Sequence, residues 1–161
     1  MKAYEEDVRN KLIEYLKDQG IVDIGKEVLL PGDWRYVDVV YIDKKRKFVC
    51  IEVKLTDYKK VIEQAQDCLK YTPLSYVAMP VPENYMRKAD IEVEVCRAGL
   101  GLMWMHPDGK WTVQYTPKRV DSKKGDRYFN SQLKESLYFQ LHITFMDKCV
   151  KYHKEKPNGN E

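Results

Sequence analysis

The chain lacks the marks of several protein classes. It has 4 cysteines in 161 residues, Cys50, Cys68, Cys96 and Cys149, none in a C-x-x-C pair, and its 3 histidines, His106, His142 and His153, show no zinc-finger spacing. Structural zinc and a disulfide framework are therefore not expected, and the thiols should be reduced. Long apolar runs are missing as well, since nothing approaches the ~20 residues that a membrane span needs. The opening Met-Lys-Ala-Tyr-Glu-Glu-Asp is charged and has no apolar signal core, so the expectation is a cytoplasmic protein without a membrane partner. Neither sign of charge dominates. With 28 Lys plus Arg against 25 Asp plus Glu, the net charge of +3 does not by itself announce a nucleic-acid binder. Internal repeats and low-complexity segments are also absent.

What is there reads as one α/β domain of a common size, spanning residues 1–152 with a polar tail at 153–161. Val8, Leu12, Ile13, Tyr15 and Leu16 recur at helical spacing over residues 3–19, with acids in the first turn and Gly20 as a stop. Residues 21–30 read as a strand or extended connection, broken by the turn Pro31-Gly32-Asp33. Residues 34–42 and 48–55 form a predicted hairpin around the charged turn 43–47, followed by a helix at 57–71 that Thr72-Pro73 ends. Residues 75–81 are an apolar, β-branched strand, which makes a β-α-β crossover and a mixed sheet flanked by helices. Residues 82–89 read as a short helix or loop, and 91–97 equally as helix or strand. A hairpin around His106-Pro-Asp-Gly-Lys110 extends the sheet, a basic loop covers 117–127, and Leu133, Leu137, Leu141, Phe145 and Cys149 predict a helix over 131–152.

The chemistry concentrates in two of these strands. Asp38 sits inside the apolar run Tyr36-Val-Asp-Val-Val-Tyr-Ile42, and Glu-x-Lys ends the next, Phe48-Val-Cys-Ile-Glu-Val-Lys54. Strand alternation places Glu52 and Lys54 on one face, so two carboxylates and an ammonium are expected to converge. Carboxylate oxygens are the hard ligands that Mg²⁺ prefers, with waters and phosphate oxygens completing its octahedron. The bland alternative is a solvent-facing cross-strand ion pair of little energetic weight.

Asp38, Glu-x-Lys and the strand–turn–strand–helix order from Arg35 through Gln64 resemble the PD-(D/E)xK nuclease superfamily. The resemblance covers roughly residues 4–81, with Gly99-Leu-Gly-Leu102 and the Pro-Asp-Gly turn as weaker support. It implies a restriction-endonuclease-like fold and a Mg²⁺- or Mn²⁺-dependent nuclease acting on DNA. Asp38, Glu52 and the Val53 carbonyl would be the metal ligands, with Glu6 a further acid from the first helix. Lys54 would act on the attacking water or on the transition state. Gln64 matches the helical Gln of many relatives, though the Tyr they often place four residues later is here Cys68. Arg35 stands where relatives often carry a basic residue. Lys44, Lys45, Lys118, Arg119, Lys123 and Lys124 are candidate phosphate contacts by charge alone. A homodimer or a partner protein would supply targeting that so short a chain lacks. Two rivals stay open: a non-catalytic nucleic-acid-binding or assembly subunit with the same fold, and an RNA-directed nuclease.

Overall fold

The computed structural model describes residues 2–30, 35–118 and 131–141. Its centre is a mixed sheet of six strands in the order β1-β2-β3-β4-β5-β6. They are β1 (Ile24–Leu30), β2 (Arg35–Ile42), β3 (Phe48–Val53), β4 (Ser75–Pro80), β5 (Gly101–Met105) and β6 (Trp111–Tyr115). The antiparallel pairs β1/β2, β2/β3 and β5/β6 surround a parallel centre of β3, β4 and β5. Four helices flank the sheet among the described residues: α1 (Lys2–Asp18), α2 (Tyr58–Asp67), α3 (Tyr85–Arg97) and α4 (residues 131–141).

Alternation along β3 divides the core. Val49, Ile51 and Val53 face α1 and pack with Val8, Leu12 and Leu16. Phe48 and Cys50 face the other way, toward Leu133 and Leu137 of α4, while α2 and α3 cover Val77, Met79, Leu102 and Trp104 beside them. Each fully buried aliphatic side chain contributes roughly 1.5–3 kcal/mol.

The connections are fixed by local hydrogen bonds. Gly20, at φ +86, closes α1 with Ile21 N–H donating to the Leu16 carbonyl at 3.0 Å and Gly20 N–H to that of Lys17 at 2.9 Å. Asp57 caps α2 by accepting from Lys60 N–H at 3.1 Å. After α2, a short 3-10 turn (Cys68–Lys70) leads to Thr72, whose hydroxyl donates to the Phe48 carbonyl at 2.7 Å, and Ser75 donates to that of Ala65 at 2.7 Å. These bonds seat the crossover against β3.

The expected mixed sheet with flanking helices is present, with three adjustments. Within the segment read as loop, helix or strand over 82–97, Tyr85–Arg97 form the helix α3, capped by Asn84 accepting from Arg87 N–H at 3.1 Å. The helix expected at 57–71 tightens into the 3-10 turn at Cys68, and β3 stops at Val53, two residues before its predicted end. Residues 131–141 are helical, and the rest of the expected helix and the 153–161 tail lie outside the described residues.

Candidate active site

The site forms where β2 and β3 part. Their ladder runs from Ile42↔Phe48 to Val39↔Ile51 and goes no further. Beyond it, Val53 N–H donates not to a backbone carbonyl but to Asp38 Oδ2, at 2.8 Å. A side-chain oxygen thus replaces a ladder acceptor, and the strands stay apart. On the other flank, β1/β2 pairing passes over Glu27 and Asp38, and Glu27 adopts φ +56, a left-handed conformation uncommon for a residue with a Cβ. Val37 and Val40 consequently pack into the same cluster although their spacing is odd. The irregularity lies at the one position in β2 that carries a carboxylate.

Glu52 enters from the opposite face. It is 2 % exposed, and Arg35 Nη1 donates to its Oε1 at 2.9 Å. Arg35 also donates to the Gln64 carbonyl and lies 3.7 Å from Cys68 Sγ and 3.6 Å from Asp67 Oδ2. Burial, followed by the proximity of Cys68 and Asp38, pushes the Glu52 carboxyl up to about 9 against the pull of Arg35. Asp38, bonded to the amide of the residue after Glu52, thus lies near enough to disfavour the charge of Glu52. The Cys68 thiol is held down by a hydrogen bond with Cys50 and by Arg35, while Cys50 is pushed up.

Helix α1 brings the third group of side chains. Lys54 Nζ lies 3.2 Å from Glu5 Oε1, and Arg9 bridges Glu27 Oε1 at 2.6 Å and Asp38 Oδ1 at 3.6 Å. Lys54 thus leans toward α1 rather than sharing the face of Glu52. Strand alternation ceases to govern it because β3 ends one residue earlier, although its N–H still reaches the Ala78 carbonyl at 3.3 Å.

A scan against protein-family models gives no match to this chain. The curated proteins likewise give none. Among solved structures, the chain is similar to the SPO1766 protein of unknown function from Silicibacter pomeroyi, with a TM-score of 0.58 and 14 % identity over 90 % of this chain and 89 % of that one. At that identity the likeness shows a shared fold.

The structure brings Asp38, Glu52, Arg35 and Gln64 together, with Lys54 at the rim. Arg35 is engaged with Glu52 and Asp67 rather than projecting freely. Glu6 is elsewhere, exposed and paired with Lys26 at 2.6 Å, and it is its neighbour Glu5 that reaches Lys54. Lys44 and Lys45 sit in the β2–β3 turn at the far end of the sheet, Lys118 follows β6, and Arg119, Lys123 and Lys124 lie outside the described residues. Sequence reasoning weighed Glu5 only as a neighbour to which the Glu6 assignment could slip, and missed Arg9, Glu27 and Cys68 as members of the site. Glu5 and Arg9 had a signal: they continue the Leu12–Leu16 stripe of α1 inward, at positions that would be apolar in an ordinary helix.

The donor set fits a hard divalent cation. Among the described residues no three His, Cys, Asp or Glu side chains gather as a metal cluster, but Mg²⁺ commonly takes one or two carboxylates and keeps its waters. Asp38 and Glu52 supply the two. A residue's N–H and C=O leave the same edge of a strand, so the Val53 carbonyl is turned toward the gap where its N–H meets Asp38. The Gln64 Oε1 is buried and has no hydrogen-bond partner among the described residues, as suits an acceptor for a cation-bound water.

Proposed function

We propose that this chain is a metal-dependent nuclease that hydrolyses DNA phosphodiester bonds, with a restriction-endonuclease-like arrangement of its sheet. The observation that carries the reading is the meeting of Asp38 and Glu52 through the parted β2 and β3 strands, with Lys54 at the end of β3. Two carboxylates crowded in a poorly solvated gap raise each other's energy, and a divalent cation relieves it. The order hairpin, α2, parallel β4 also follows the pattern that the sequence resembles.

Asp38, Glu52 and the Val53 carbonyl would hold Mg²⁺ or Mn²⁺, which when bound polarises a phosphate oxygen and acidifies a water. Glu52 gives up its proton on binding the cation. Arg35 holds the Glu52 carboxylate in place, and Gln64 accepts a hydrogen bond from a water beside it. Lys54, steadied by Glu5, either orients and deprotonates the attacking water or neutralises charge growing on the phosphate. DNA is the proposed substrate because most members of the superfamily that the sequence resembles cut DNA, and fold alone does not fix function.

One observation favours a second reading, a non-catalytic nucleic-acid-binding or assembly subunit: Arg9 and Arg35 already lie against both carboxylates. The test is cleavage of labelled single-stranded, duplex and branched DNA, and of RNA, with Mg²⁺ or Mn²⁺, comparing the wild type with Lys54→Ala at matched folding by circular dichroism. Metal-dependent cleavage that the substitution abolishes supports the nuclease. If neither protein cuts and both bind DNA equally, the second reading takes its place, and cleavage confined to RNA redirects the substrate.

A further inference from the structure

The opposite end of the β2–β3 hairpin carries a cleft that the candidate active site does not use. Asp43 lies five positions after Asp38 in sequence, which at ~3.3 Å per strand residue puts the turn end of the cleft roughly 17 Å from Asp38. It has a volume of about 610 Å³ and lies between the C-terminal end of α1, the β2–β3 turn and the segment after β6. Tyr41 and Tyr76 line it, and Lys44, Lys45 and Lys47 stand around it.

These features form a built site rather than a run of surface lysines. The single acid in the lining, Asp43, is occupied in closing the turn, with its Oδ1 accepting from Lys45 N–H at 2.9 Å and Lys47 N–H at 2.8 Å. That bonding fixes the backbone from which two of the lysines project. Lys44 folds back over Gly20, so that a Cβ there would lie 3.8 Å from its Nζ. The ammonium thereby sits at the C-terminal end of α1, where the helix carbonyls favour a cation. None of the three ammoniums has a carboxylate partner among the described residues. On the far wall, the Tyr76 ring rests on bare backbone, since a Cβ at Gly101 would fall 2.3 Å from its Cδ1. Burial pushes both phenols above their ordinary range, so each keeps its proton and remains a donor.

We propose that this cleft binds a nucleotide unit, its phosphate on Lys44, Lys45 and Lys47 and its base against Tyr41 and Tyr76. Uncompensated ammoniums beside phenol donors select an oxyanion, and aromatic side chains accept any base through stacking. The volume lies within the usual range for a small-molecule site. A free nucleotide and one unit of a nucleic-acid strand present the same chemistry. The inference stands apart from the nuclease reading and needs no metal.

Isothermal titration in EDTA tests it, using deoxyadenosine monophosphate, inorganic phosphate and a short 5′-phosphorylated oligodeoxynucleotide as probes. Deoxyadenosine monophosphate or the oligonucleotide is expected to bind more tightly than inorganic phosphate. Lys44→Ala/Lys47→Ala, both exposed, should weaken that binding about tenfold or more, and Tyr41→Phe should weaken it less. Lys88→Ala, on α3 and outside both the cleft and the candidate active site, should leave it unchanged. A stronger response to the mononucleotide identifies a free ligand, and a stronger response to the oligonucleotide identifies a strand. No binding of any probe, binding indifferent to the lysine substitutions, or inorganic phosphate binding as tightly as either probe would overturn the proposal. Failure of the cleavage assay leaves it standing.

Discussion

Each face of β3, at the strand's C-terminal end, sets an arginine against a carboxylate, in different surroundings. Toward α2, Arg35 meets Glu52 at 2.9 Å where the acid is 2 % exposed. Toward α1, Arg9 divides itself between Asp38 at 3.6 Å and Glu27, whose side chain is 61 % exposed. The comparison separates two uses of the same ion pair. On the α1 face Arg9 is itself buried, but its partner Glu27 reaches water, so one end of that pair keeps its solvation. On the α2 face, the charges have lost their water, and each depends on its partner or on a proton. The carboxylates from the two faces approach the same gap, Asp38 partly exposed and Glu52 buried.

Substitutions at the two faces can break that comparison. The largest effect is expected at Lys54, where alanine should lower metal-dependent cleavage by about 10²–10⁴-fold, measured as single-turnover rates on the preferred DNA substrate. An unchanged rate would remove Lys54 from the chemistry. Next comes Arg35→Ala, which removes the donor to Glu52 and to the Gln64 carbonyl and should cost about 1–3 kcal/mol in urea unfolding at neutral pH, where Glu52 keeps its proton. Arg9→Ala should cost less, because the carboxylates it releases keep some access to water, Glu27 at 61 % and Asp38 at 17 % exposure, and equal losses at the two arginines would erase the distinction between the faces.

Titration sharpens the comparison further. The Glu52 carboxyl ionises near 4.5 in its ordinary state and near 9 in the folded protein, so between those values the native state holds the extra proton. Stability should therefore fall as pH rises through this window, and remain at its reduced level above it. Glu52→Gln should flatten the profile, which urea midpoints across the window will show, while saturating Mg²⁺ should shift the wild-type profile toward lower pH. Smallest of all, Glu6→Ala, at a solvated pair with Lys26, should leave both the urea midpoint and the cleavage rate indistinguishable from the wild type. Glu5→Gln, by contrast, should slow cleavage by freeing Lys54.

The strands were legible because their apolar runs are long and their turns charged or rich in Pro and Gly. Helix α3 was obscured because Ile91, Val93 and Val95 mimic strand alternation, while the decisive signal, Asn84 as a cap, lies before the ambiguous stretch. Asp38 and Glu52 stood out as carboxylates inside apolar runs. The placement of Lys54 did not follow from alternation, because a side chain beyond the last paired residue answers to its neighbours, here Glu5. Cys68 was noticed only as the residue standing where a Tyr was expected. Its position against Arg35 and Glu52 depends on the 3-10 turn that ends α2, and periodicity carries no information about such tightening. Glu27 and Arg9 belong to the site through long-range contacts, which a one-dimensional pattern does not contain.

The bond from the Val53 amide to Asp38 gives the molecule an internal spectroscopic probe. Most amides in a sheet are protected by carbonyls that never change chemical state, whereas this proton is shielded by a carboxylate whose partner is open to change. Its resonance and its exchange with deuterium would register whatever Asp38 binds. A single labelled valine nitrogen therefore offers a way to watch the gap fill, with no substrate turned over and no residue altered.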